Sequence, residues 1–93
     1  MDVRKISPEQ MKDEHFTHQS VLSREDERIT LIGKLLRAVI LTNAEHDTVG
    51  IVIKLESGEI VETYCDLIDW ADDFIMIKGG AAIPVRAIVD VEF

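Results

Sequence analysis

Four aspartates, Asp66, Asp69, Asp72 and Asp73, crowd into eight residues beside two aromatics, Trp70 and Phe74. Clustered carboxylates offer the oxygen ligands that calcium prefers, but the glycine and terminal glutamate of an EF-hand loop are missing. A solvated acidic rim accounts for them with fewer assumptions. Trp70 and Phe74 flank a turn, where aromatics commonly close one end of a core, and Arg24, Arg28, Lys34, Arg37 and Arg86 are basic. His15 and His18, three apart beside Asp13 and Glu14, are metal-ligand types, yet no third strong ligand is fixed nearby. Cys65 is the single cysteine; it reads as a small buried hydrophobe, since nothing brings a base such as His46 to it. No Gly-rich phosphate loop, Ser/His/Asp order or metalloprotease motif is present. The chain is therefore not expected to be an enzyme or to carry a metal or other cofactor.

The bulk numbers narrow the partners. Ninety-three residues, 46% hydrophobic and 30% charged, suit one globular domain with a small core. No apolar run approaches the ~20 residues of a membrane helix, and the first ten residues lack the apolar stretch of a signal peptide. With one cysteine and no disulfide, a reducing cytoplasmic location is expected. Net charge is −8; residues 48–93 hold three basic and nine acidic side chains, and residues 1–47 hold seven and nine. Phosphate binding draws most of its affinity from Lys and Arg, so the C-terminal half is a poor electrostatic match for nucleic acid.

The elements that must position these residues follow from periodicity. Residues 1–22 read as an arm, with Ser7-Pro8-Glu9-Gln10 starting a short helix. Ser23 is the expected N-cap of a main helix over about 24–43, with Glu25, Asp26 and Glu27 in its first turn and Asn43 as its stop. Ile29, Ile32, Leu35, Leu36, Val39 and Ile40 recur at three- and four-residue steps and predict a single core-facing stripe. Alternation over 49–55 predicts a half-buried strand, and Glu56-Ser57-Gly58-Glu59 a tight turn. The 60–70 segment has apolar residues on both parities, as a strand shared by two sheets requires. Residues 74–78 are apolar on both faces and predict cover on both sides. Gly79-Gly80 supplies a turn before strands over 82–86 and 88–93, where Pro84 is acceptable only at a strand edge. The expected fold is mainly β with an N-terminal α-helix.

These residues resemble the Sm-like family, which includes the Sm and LSm proteins and Hfq. Leu55-Glu56-Ser57-Gly58 matches the Leu-x-x-Gly of the first Sm motif, and Asp69 stands eleven residues after that glycine as in the family. Asp72 and Asp73 replace the family's Met-Asn pair, Met76 fits its later apolar position, and Thr63 and Cys65 replace an expected glycine and leucine. Pro84-Val85-Arg86-Ala87-Ile88-Val89-Asp90-Val91 is similar to the corresponding Hfq segment at Ala87, Ile88 and Val91, with Arg86 at its histidine position. The resemblance covers residues 24–93; the YolD-like and Rof-like bacterial proteins end similarly.

The resemblance implies a small open barrel, a five-stranded strongly bent antiparallel sheet over 23–93 with the helix packed on one end. It also implies a homo-oligomeric ring in which edge strands of neighbouring copies pair, with Ile83, Val85, Val89, Val91 and Phe93 as the interface residues. Single-stranded RNA is the implied ligand, met by Asp69, Trp70, Asp73, Phe74 and Arg86 with help from Arg24 and Arg28 on the helix. The acidic loop opposes that at close range. The alternative is a ring-forming scaffold without RNA affinity, holding a protein partner through its acidic rim or N-terminal arm.

Overall fold

The computed structural model describes residues 3–45 and 48–92. The N-terminal arm is part of the fold. Strand β1 (Arg4–Lys5) pairs parallel to β3 (Ile60–Cys65) through Arg4↔Val61 and Lys5↔Glu62, and the Ile6 N–H extends the pairing by donating to the Glu62 carbonyl at 3.0 Å. Helix α1 (Pro8–Met11) then begins on the capping box read from the sequence, with the Ser7 hydroxyl accepting from Gln10 and the Gln10 side chain accepting from Ser7. This single turn delivers Met11, which is fully buried, into the core. Phe16 bridges to Leu55, and the Thr17 N–H donates to the Lys54 carbonyl at 3.2 Å, so the arm wraps the main domain.

Helix α2 (Glu25–Glu45) starts one residue later than expected: its first bond runs from the Arg28 N–H to the Arg24 carbonyl at 3.1 Å, and it continues past Asn43. Its orientation corrects the single stripe. Leu31, Leu35 and Ala38 face the core, whereas Ile29, Ile32, Leu36 and Ile40 face outward. Helical spacing allowed both sets; burial against the sheets chose the one containing the small Ala38.

The strands form two sheets. One has the order β1–β3–β2–β7, with β2 (Val49–Lys54) antiparallel to both β3 and β7 (Ile88–Glu92). The other has the order β4–β5–β6, antiparallel throughout, from Leu67–Ala71, Phe74–Ile77 and Ala82–Pro84. The expected 60–70 strand breaks at Asp66. Cys65 still pairs with Val49 of β2, while Leu67 already pairs with Ile77 of β5. One residue thus transfers the chain between sheets, which explains why apolar residues fell on both parities. No closed barrel forms among the described residues; the core lies between the sheets, lined by Ile51, Ile53, Val61, Ile75, Ile83 and Ile88 with α2 over it.

Two other expectations are corrected. The strand expected over 82–86 ends at Pro84, and Val85–Ala87 forms a 3-10 turn held by the Val85 N–H donating to the Asp73 carbonyl at 2.8 Å. The 74–77 segment is covered on one face only: Ile75 and Ile77 are buried, but Phe74 and Met76 are 41% and 37% exposed. Gly79 has φ +117°, as the turn reading required, and a Cβ there would come within 3.2 Å of the Pro8 backbone. The β5–β6 turn therefore also needs glycine to admit the start of α1.

Candidate functional site

The aromatic and acidic residues gather at the β4–β5 turn. Asp72 takes φ 54°, a left-handed conformation that aspartate tolerates better than most. The Trp70 indole N–H donates to the Asp72 carbonyl at 3.0 Å, and the Trp70 ring packs against the core, so its polar edge and much of its face are committed to closing the turn. The Asp69 carboxylate accepts from the Trp70 N–H at 2.8 Å. Asp69, Asp72 and Asp73 are all exposed, and Phe74 is the open aromatic.

Four of the five candidate cations, Arg24, Arg28, Lys34 and Arg86, bond within the chain. Arg86 Nε donates to the Thr17 carbonyl at 3.0 Å while its own carbonyl accepts from the Val21 N–H at 2.9 Å. Arg28 Nε donates to the Leu22 carbonyl at 2.7 Å. Both arginines line an apolar groove of about 100 Å³ with Leu22, Ile32, Val85 and Ile88, where they clamp residues 17–22 over the 3-10 turn. Arg24 pairs with Asp26 at 3.0 Å, and Lys34 with Asp90 at 2.9 Å. A larger groove on the other side of α2, about 240 Å³, is lined by Asp26, Glu27, Lys34, Val89 and Asp90 and carries more acid than base. The candidate nucleic-acid residues thus fall into two neighbouring clusters, joined through the bond between Val85 and Asp73.

The candidate oligomer residues divide differently. Ile83 and Val91 are core side chains, Val85 and Val89 are half-buried, and Phe93 lies outside the described residues. The ring reading requires the outer edges of β6 and β7. On β7 the Val91 N–H already has an acceptor, the Asp90 carboxylate at 2.8 Å, and that carboxylate also holds Lys34 of α2. On β6 the strand is three residues long and ends in proline. Both are features that blunt an edge against pairing.

The remaining chemistry-bearing residues are accounted for locally. Cys65 is buried, and burial first, then the charge of Asp66, pushes its thiol up to about 12. It is consequently a poor nucleophile at neutral pH. His15 and His18 ride on the arm where it meets β2, the His15 carbonyl accepting from the Glu56 N–H at 2.8 Å; His46 lies outside the described residues. Among the described residues no three His, Cys, Asp or Glu side chains converge as a metal site. Nor does any described helix have the length and apolarity to cross a membrane.

One pair was missed by sequence reading. Glu62, nearly buried on β3, and Glu92 on β7 flank Gly50 of β2, whose missing Cβ leaves them room. The protonated Glu92 carboxyl donates to the Glu62 carboxylate, and that hydrogen bond, reinforced by the Glu62 charge, raises Glu92 above its ordinary range. Only the register of three strands brings these two together, so no local signal marks them.

Comparison with family models, curated proteins and solved structures returns no match.

Proposed function

We propose that the chain is a protein-interaction module built on an Sm-like small barrel, working through its surface and not through RNA affinity or catalysis. The observation that carries this reading is the state of the cations. Arg24, Arg28, Lys34 and Arg86, four of the five that could build a positive face, already bond to carboxylates or backbone carbonyls of the chain itself. Phosphate binding would have to compete with those bonds beside exposed Asp69, Asp72 and Asp73. The same helix meanwhile leaves a line of aliphatic side chains in water, which is what a protein partner covers. What supports the Sm-like part is the two-sheet division of one bent strand at Asp66, with a 3-10 turn before the last strand. A buried unpaired thiol is in keeping with a cytoplasmic setting.

The RNA reading retains one specific support: the bond from Val85 to Asp73 sets Arg86 close to the turn that carries Phe74. Fluorescence anisotropy of short uridine- and adenosine-rich RNAs at low salt separates the two. The interaction reading expects no saturable binding. Saturable binding that weakens steeply with salt and is lost in Arg86→Ala or Phe74→Ala would replace it with the RNA reading.

A further inference from the structure

We infer that α2 is the docking element and that its partner is a second copy of the chain, the two helices packing antiparallel about a two-fold axis near Gly33. The inference rests on the interaction reading and names its partner. Ile29, Ile32, Leu36 and Ile40, at steps of three and four, are 62%, 40%, 52% and 66% exposed. At 100° per residue they span a stripe distinct from the buried Leu31, Leu35 and Ala38, so α2 is apolar on two faces. A helix of that kind belongs between two layers. The chain itself supplies only one.

Three features select a second copy. The first is charge. Glu25, Asp26 and Glu27 fill the first turn, while every charged residue from Arg28 through Ile40 is basic: Arg28, Lys34 and Arg37. With Arg28 and Lys34 already bonded to the Leu22 carbonyl and Asp90, Arg37 is the cation that a partner's acidic first turn can meet, and an antiparallel copy of the same helix brings the two together. Asp26 and Arg37 lie about 20° apart around the helix, on the same flank. A two-fold axis sets that flank against itself, bringing Asp26 within about one helical turn of Arg37 on the other copy.

The second is shape. Gly33 lies midway along the stripe and about 20° outside it, on the flank that carries Asp26 and Arg37, with nothing within 4 Å of where its Cβ would be, so two helices can approach closely there. The third is extent. Four side chains this exposed amount to roughly 400 Å² of apolar surface, the size of the largest patch on a typical monomer, which is often a functional one. Two such faces supply about 800 Å², and their charged flanks must add the rest of the ~1,200 Å² of a small specific interface. The strand edges compete poorly, since the Val91 N–H has its acceptor within the chain and β6 ends on Pro84.

The test is the native mass of the full chain by light scattering over a wide concentration range, alone and with Leu36→Glu or Ile40→Glu. The wild type should be a dimer. Each charge should weaken it by at least about tenfold while far-ultraviolet circular dichroism stays unchanged. Gly33→Cys should be captured as a dimer by a short bismaleimide, whereas the wild type, whose one cysteine is buried, should not. An oligomer indifferent to both charges, or an uncrosslinked Gly33→Cys, overturns the helix interface and leaves the interaction reading standing. A monomer at every concentration also overturns it, and the RNA titration judges the broader reading separately.

Discussion

Truncating two adjacent leucines of α2, one at a time, measures which face of the helix meets the core. Leu35 is 0% exposed and Leu36 52%. Leu35→Ala removes fully buried atoms at the helix–sheet contact and leaves a cavity the helix can only partly close, a loss of about 3 kcal/mol. That is a large share of the roughly 5–14 kcal/mol expected for a chain of this length. At 4–8 °C per kcal/mol it lowers the melting midpoint by about 12–24 °C. Leu36→Ala removes atoms that are half in water, and alanine is the better helix former, so the change should stay within about 0.5 kcal/mol. Urea denaturation followed by circular dichroism reads both, at the lowest workable protein concentration, because association through the outer face would add its own stabilisation. Comparable losses for the two variants would refute the orientation and restore a single core-facing stripe holding both residues.

Two further outcomes test the sheet interior and its titrating pair. The Thr63 hydroxyl is fully buried with no hydrogen-bond partner, so Thr63→Val should stabilise by about 1 kcal/mol in the same urea assay; a loss would mean the hydroxyl is satisfied after all. Glu92 is raised above its ordinary 4.5, so the folded chain keeps a proton that the unfolded chain releases. Stability therefore falls as pH rises from about 4.5 through the folded value, leaving a repulsive pair above it. Glu92→Gln should raise the urea midpoint at pH 8 and flatten that fall, and an unaltered slope would remove the pair as its cause.

Much of the fold was legible because it is written locally. Gly58, Gly79 and Gly80 all take positive φ at the turns their sequence marked. The alternation over Val49–Lys54 gave a strand whose odd-numbered residues are buried. The double parity after Ile60 anticipated a strand serving two sheets, though not that a single residue, Asp66, makes the change. The docking of the arm was not legible, because its anchors follow neither the helical nor the strand period. Ile6, Met11 and Phe16 are held by β3, the core and Leu55, so each contact depends on chain far away in sequence. The helix rotation failed for the opposite reason: periodicity was abundant, and two stripes satisfied it.

The same division runs through the candidate site. Which residues cluster was readable, since Asp69, Trp70, Asp73 and Phe74 are neighbours in sequence. What occupies them was not. Arg86 is held by Thr17, 69 residues away, and Lys34 by Asp90, 56 residues away. A count of basic residues treats each as available to phosphate, whereas an arginine bonded to a backbone carbonyl gives up that bond if the same nitrogen is to serve a ligand. The balance shifts further because the clamped segment, residues 17–22, covers the 3-10 turn on which the arginine stands. The aliphatic line on α2 is exposed surface of another kind, where those side chains have no internal hydrogen bond to break before a partner could cover them. Binding at that face would still cost the translational, rotational and side-chain ordering of any association, and would gain from every methyl removed from water.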